Sequence, residues 1–495
     1  MHSAKKAPGS RRNSLPDLLV NRPHPAGIVF SLSEVFMRNV LVGLLFLAVL
    51  NACNNKKDYE SVFQDGKLYS KTVSQLTEVM TYDIFNPPVA SRIYAYSHLA
   101  AYEVLANLDP GYISLGGQLA GYTGSPKPVE GKKINAEFAA LTAFMEVGRT
   151  LTFSKDKTDA ILDSLNRLAE DHGMPDDELE NSVAYGVEVA KSVLAWSKKD
   201  QYAETRSAPK YTVNNNDEGK WVPTPPAYFP AVEPKWMSIR TIVMDSASMF
   251  RAKPPFTFSK DSTSDFYKMV KEVYDYGNRA QEDHVAMADF WDCNGFKMNV
   301  VGHVMYATKA MTPGGHWMGI TGIICANNNA DFASTVYTYT CVAFGVMDGF
   351  IACWDSKYHY SLIRPETYIN LYIDNNWKPR LQTPPFPEYT SGHSVISSAA
   401  SVVLTRIYGD NQAFTDSTER AWGWPDRKFS SAIAAANEAS LSRLYGGIHY
   451  RIAVEEGIKQ GTNIANYLFT KLNMKKGQQL AAVQPSDSLA TKLQN

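Results

Sequence analysis

Three clusters of residues between positions 357 and 449 carry the groups needed to hold a tetrahedral oxyanion. In the first, Lys357 and Arg364 stand seven residues apart, the arginine directly before Pro365. Lysine supplies a compact charge, and arginine a planar fork that can bind two oxygens at once. In the second, a proline-rich run at 384–390 delivers the chain to Ser391-Gly392-His393. Ser391 is a natural helix cap, and Gly392 lets the backbone approach a ligand closely. Unpaired amides at a helix start, aided by the helix dipole, favour an anion. His393 could exchange protons near neutral pH. In the third, Arg443 ends one predicted helix, Gly446-Gly447 break it, and His449 opens the next.

Each cluster alone has a plain structural explanation: a solvated helix end, a cap, a cation facing a helix dipole. Jointly, the order K-x6-R-P, S-G-H, S-R-x5-H resembles the superfamily of vanadium-dependent haloperoxidases and type 2 phosphatidic acid phosphatases. The match covers seven positions over roughly the last third of the mature chain. This resemblance implies a helical bundle in which Lys357, Arg364 and Arg443 neutralise the equatorial oxygens of vanadate or phosphate. Ser391 and the Gly392 amide would hydrogen-bond those oxygens. His449 would be the axial ligand to vanadium, or the phosphorylated nucleophile of a phosphatase, and His393 the acid–base group. Trp354 and Phe386 stand where the halide-site walls of haloperoxidases are found, although core packing explains either equally well.

Two departures from the family pattern bear on the reaction. The usual proline before Ser-Gly-His is Thr390, which is expected to loosen the turn. The carboxylate usual four residues after the last histidine in the phosphatase pattern is Ala453. A nucleophilic histidine benefits from a carboxylate that fixes its tautomer, so Ala453 argues against phosphoryl transfer unless Asp348, Asp355 or Glu455 substitutes. The expected activity is therefore an exported haloperoxidase that oxidises halide with hydrogen peroxide through a His449-bound peroxovanadate, bromide or iodide ahead of chloride. The alternative is a periplasmic acid phosphatase working through a phosphohistidine, with no vanadate required. A third reading, from another class, is a catalytically idle surface lipoprotein that binds an oxyanion or glycan.

The elements that must position these clusters read as helices. Helical spacing runs over 69–108, interrupted at Asn86-Pro87-Pro88, and over 135–150, 156–172 and 176–196. His98 lies among apolar neighbours and reads as a core histidine. Prolines and Asn214-Asn215-Asn216 leave no room for a helix over 197–238, although Trp221, Tyr228, Phe229 and Trp236 suggest a loop that is packed down. Further helices are expected over 264–278, 284–310, 329–358, 391–408, 428–445 and 451–472, with an extended segment after Arg364. Almost no stretch alternates with period two, so the fold class is all-α, a helical bundle. The parts expected are a tether over 53–67, helical parts over 68–260 and 261–475, and a polar tail over 476–495.

The formal net charge of −1 provides no basic field for nucleic acid, so any anion site must be built locally. Met37-Arg38-Asn39, an apolar run over 40–50 and Leu50-Asn51-Ala52-Cys53 form a short basic region, an apolar stretch and a small residue before cleavage. Leu50-Asn51-Ala52-Cys53 resembles a bacterial lipobox, which makes 37–52 a lipoprotein signal peptide, Cys53 the lipidated residue, 1–36 a non-native upstream extension or an extended leader, and the product periplasmic or on the outer membrane. A plain secretory signal or an N-terminal anchor is the other reading. No later run of about 20 apolar residues suggests a bilayer span. The remaining cysteines, 293, 325, 341 and 353, lack C-x-x-C spacing and read as buried thiols, one disulfide being compatible with an oxidising compartment. Partners are then peroxide and halide, or a phosphate ester, with the membrane reached only through the lipid and homo-oligomerisation left open.

Overall fold

Short polar side chains cap most of the helices. Asp58, Asn86, Asn135, Ser264, Thr312, Asp331, Ser391 and Ser431 each accept the backbone N–H three residues on, satisfying a donor that the helix start leaves unpaired. The structure, a computed structural model, describes residues 58–279, 281–295, 297–301, 303–307, 309–478 and 480–483. The lipobox and Cys53 lie outside them.

In chain order the helices are α1 (Tyr59–Gln64), α2 (Gly66–Tyr82), α3 (Pro87–Leu108), α4 (Ala136–Leu151), α5 (Lys155–Asp171), α6 (Asp176–Ser197) and α7 (Tyr202–Ser207). Next come α8 (Asp265–Asn278), α9 (Glu282–Phe290), the hairpin strands β1 (Met298–Val301) and β2 (Val304–Ala307), α10 (Pro313–Asn327), α11 (Phe332–Tyr360) and α12 (Pro365–Tyr372). The chain ends with α13 (Gly392–Tyr408), strands β3 (Phe414–Asp416) and β4 (Arg427–Phe429), α14 (Ala432–Tyr445) and α15 (Arg451–Lys471). Both strand pairs are antiparallel. The fold is a helical bundle.

The central helix is α11, which packs on α2 and α3 on one side and on α13 and α15 on the other. Its 29 residues are long and apolar enough to cross a bilayer, contrary to the expectation of no such run. The surrounding helices bury its whole apolar stretch, as for the core helix of a large bundle. Helices α13 and α15 approach so closely that a Cβ on Gly461 would stand 2.1 Å from the Val395 carbonyl oxygen and 2.9 Å from the Ala399 nitrogen. This contact aligns the start of α13 with the turn before α15. Gly461→Ala is expected to destabilise the protein by about 1–3 kcal/mol, because rigid backbone must shift. A chemical-denaturation midpoint equal to wild type would refute that tight contact.

Several expectations need correction. The 58–67 tether includes α1, because Tyr59 and Phe63 share a face and are buried. Within 197–238 a short helix, α7, does form, while Trp221 and Trp236 pack down as expected. The single helix expected over 284–310 stops at Phe290; the Cys293-Asn294-Gly295 bend ends it and the β-branched residues that follow pair as the β1–β2 hairpin. Helix α10 went unpredicted because Pro313-Gly314-Gly315 reads as a breaker, yet Pro313 takes the first helical position behind the Thr312 cap. After Arg364 the chain is helical (α12), again with proline at its start. His98 is buried with its Nδ1 2.7 Å from the Tyr69 hydroxyl. Cys293, Cys325, Cys341 and Cys353 are free buried thiols.

Candidate active site

Lys357 sits in the last turn of α11, Arg364 caps α12, and Arg443 sits in the last turn of α14. All three are buried, and none forms an ion pair within 4 Å of a carboxylate among the described residues. Lys357 Nζ donates to the carbonyls of Pro387 (3.1 Å), Glu388 (3.0 Å) and Thr390. Arg364 donates to the carbonyls of Phe386 and Ile448, both at 2.9 Å. Arg443 reaches the Ser442 hydroxyl at 3.1 Å and the Ala288 carbonyl at 3.4 Å. Burial depresses all three cations, Lys357 to about 8 and Arg364 to about 10.

Ser391 caps α13 as expected. Its Oγ accepts from the Ser394 hydroxyl at 2.8 Å, and its N–H donates to the Ala453 carbonyl at 3.0 Å. Thr390 does not loosen this turn: its hydroxyl donates to Gln460 Oε1 at 2.9 Å, tying the turn to α15. His449 lies two residues before α15 in the tight turn after Arg443, where Gly447 takes a φ of +79° that favours glycine.

The sequence reading missed Glu388. Its Oε1 accepts from the backbone N–H of Tyr450 at 2.9 Å and lies 2.7 Å from His449 Nδ1. Arg364 Nη1, which can only donate, lies 3.3 Å from His449 Nε2. The two neighbours fix the tautomer: Nδ1 carries the proton, and Nε2 presents its lone pair. The candidates Asp348, Asp355 and Glu455 are engaged elsewhere. Asp348 accepts the N–H groups of Ile242, Val243 and Met244, Asp355 binds Arg251 through both oxygens, and Glu455 lies near Arg451 and Lys459. A carboxylate at 453 is thus unnecessary, and Ala453 does not argue against either chemistry.

Gly392, His393, Arg443, His449, Trp354 and Phe386 line one cavity of about 50 Å³, room for a few oxygen-sized groups. Lys357, Arg364 and Ser391 stand behind this wall. The Trp354 and Phe386 rings lie 4.9 Å apart, and Lys357 Nζ is 5.1 Å from the Phe386 centroid. Both histidines are held well below the ordinary histidine range. Burial is the main cause for each, reinforced chiefly by Arg364 at His449 and by Arg443, 3.5 Å away, at His393. Both rings are therefore neutral near pH 7.

The scaffold carrying this geometry matches known proteins. A family model of the VCPO second helical-bundle domain matches residues 337–476. The crystal structure of a bacterial vanadium-dependent iodoperoxidase superposes with a TM-score of 0.79 at 47% identity, over 84% of this chain and 99% of that one. The chain belongs to the vanadium-dependent haloperoxidases. A holo bacterial vanadium-dependent chloroperoxidase, 17% identical, shares the fold at a TM-score of 0.59 over 79% of this chain and 93% of that one. No curated protein matches the chain.

The residues of this haloperoxidase fit vanadate, its cofactor, on their own chemistry. Glu388, Asp292 and Glu366 are the carboxylates that act on the three buried cations, yet Arg364 Nη2 is a buried donor with no hydrogen-bond partner. A bound oxyanion would satisfy that unpaired charged donor. A Cβ at Gly392 would approach only Trp354, at 3.9 Å, so its backbone stays open to a ligand.

Proposed function

We propose that this haloperoxidase oxidises iodide with hydrogen peroxide, with vanadate held on His449 Nε2. The observation that carries the reading is the fixed tautomer of His449, a residue that lines a small cavity and whose Nε2 lone pair lies beside the Arg364 guanidinium. Iodide as the halide is supported by the iodoperoxidase at 47% identity. Bound vanadate supplies the electrophilic centre at which peroxide is activated towards halide.

The roles of the chain's residues follow from their positions. Arg364 and Arg443 place guanidinium charge beside the two histidines, and Lys357 adds charge from behind Phe386. Its three donors are spent on carbonyls, so Lys357 works by field rather than by a direct bond. The Gly392 amide and Ser391 close the remaining side. His393, neutral and lining the cavity, with Nε2 3.5 Å from Arg443 Nη1, is placed to take the proton of incoming peroxide and return it to the leaving oxygen. The net reaction consumes one proton for each halide oxidised and releases water. Trp354 and Phe386 exclude bulk water and offer polarisable surface to a large, weakly hydrated anion.

Purified protein loaded with vanadate is expected to turn over peroxide with iodide faster than with bromide or chloride, and to lose that turnover when vanadate is dialysed out. Hydrolysis of p-nitrophenyl phosphate by the vanadate-free protein, without halogenation by the loaded one, would overturn the reading. Export belongs to the same proposal and is supported by the apolar run before Cys53. Lipid labelling that survives Cys53→Ala would remove the lipoprotein part.

A further inference from the structure

Outside the vanadate site, three buried side chains from separate segments converge on one point. Cys293 lies in the bend after α9, His316 in the first turn of α10, and Glu419 in a short 3-10 helix at Thr418–Trp422 after β3. His316 Nδ1 stands 3.4 Å from Cys293 Sγ and 3.1 Å from Glu419 Oε1, and Sγ stands 3.8 Å from that same oxygen. All three residues are buried.

These distances are those of three corners of a tetrahedron around zinc. With Zn–S of about 2.3 Å, Zn–N of about 2.05 Å and Zn–O of about 2.1 Å, the N–S, N–O and S–O edges come to roughly 3.6, 3.4 and 3.6 Å. Hydrogen bonding alone accounts for the cluster less well. His316 Nδ1 has one lone pair or one proton, yet a thiol and a carboxylate both crowd it. A central cation satisfies all three ligands at once. A dication, a thiolate and a carboxylate also sum to zero charge, which suits a buried site.

The opposite ring nitrogen supplies an independent observation. His316 Nε2 is 2.8 Å from Asp416 Oδ2, and Asp416 Oδ1 is held by the Thr418 N–H at 3.0 Å and the Thr418 hydroxyl at 2.6 Å. A carboxylate on the distal nitrogen is the usual outer partner of a metal-bound histidine, fixing which nitrogen faces the metal. Trp291 stacks on the ring at 4.4 Å and holds its plane.

We propose that Cys293, His316 and Glu419 bind one zinc ion, oriented by Asp416, which staples the segment over 291–294 to α10 and to the Thr418–Trp422 turn. The location gives the staple a purpose. Asp292, Cys293 and Asn294 line the same cavity as His393, Arg443 and His449. The ion thus fixes one wall of the halide site without touching the reacting atoms. The fourth tetrahedral position takes a water from that cavity.

The test is metal analysis of the full-length protein after desalting, followed by cobalt substitution. One zinc per chain is expected, independent of vanadate content. Cobalt should give a thiolate-to-metal charge-transfer band that disappears in Cys293→Ala and persists in Cys325→Ala, another buried thiol. Glu419→Gln should lower zinc retention at least about tenfold while the circular dichroism of the helices stays unchanged. If Cys293→Ala does not fold, the wild-type cobalt spectrum decides alone. Folded wild-type protein that retains no zinc and shows no thiolate band overturns the proposal, as does a band that survives the loss of Cys293.

Discussion

Glu388→Gln is expected to lower the turnover of vanadate-loaded protein by roughly 10–100-fold, the usual cost of weakening the partner of a ligating histidine. The amide oxygen can still accept from His449 Nδ1 and from Tyr450, so fold and tautomer are retained and only the charge is lost. Vanadate affinity should move much less. Losing the carboxylate makes Nε2 a poorer ligand, but it also removes a negative charge facing an oxyanion. That repulsion is about 2 kcal/mol at an effective dielectric constant of about 20, similar in size to the lost ligand strength. A purely structural Glu388 would leave turnover intact, and that result would sink the assignment. The pH dependence gives a second check. Burial raises the Glu388 carboxyl to about 7, opposed by Arg364 and Lys357, so it takes up a proton as pH falls through that value. The ratio of wild-type to Glu388→Gln turnover should therefore shrink towards one below pH 7, whatever else titrates in both proteins.

The contrast between the residues found from sequence and Glu388 shows what a sequence can disclose. Ser391, Gly392, Arg443 and His449 were legible because local rules apply to each: a cap, an open backbone, a helix end, a turn broken by glycine. Glu388 lies 61 residues from the histidine it orients, and no periodicity links the two. It stood in plain view within the run leading to Ser391, and its only signal was a carboxylate among prolines where a loop needs none. The substitutes considered for a carboxylate at 453 were Asp348, Asp355 and Glu455, none of them in the run before Ser391. In this fold the turn before α13 supplies it instead, and Ala453 leaves its carbonyl to hold Ser391.

The helical architecture was legible for a similar reason, since long amphipathic stretches and caps report themselves within a few residues. The segment over 284–327 was not. There a helix, a hairpin and another helix follow closely, and tertiary packing overrides a weak helical pattern. The Cys293–His316–Glu419 cluster was invisible because its spacing of 23 and 103 residues resembles no metal motif. Its members meet only because α10 and the β3–β4 connection close over the bend after α9. Short-range chemistry is thus readable from sequence, whereas groups that act through another residue depend on loops whose packing the whole bundle decides.

The charge on Lys357 provides the other large expected effect. Lys357→Gln should weaken vanadate binding by about 3 kcal/mol, roughly two orders of magnitude, because a buried cation several ångströms from an oxyanion acts across a poorly screened interior. Glutamine can still donate to two of the three carbonyls, so the loss reads the charge more than the fold. Burial, with Arg364 adding to it, lowers the lysine to about 8, while Cys353 and Glu388 oppose the shift. Without a bound oxyanion Lys357 is therefore cationic below about pH 8 and neutral above it. An oxyanion binds the cationic form better, so wild-type affinity should fall above pH 8 by up to about tenfold per pH unit until the lysine of the bound state also titrates. The variant lacks this limb. Vanadate's own titration is common to both proteins and cancels in the ratio of their dissociation constants. That ratio should be large at pH 7 and approach one in alkali. Parallel curves for the two proteins would show that Lys357 serves only to hold the turn over 387–390, leaving the anion to Arg364 and Arg443.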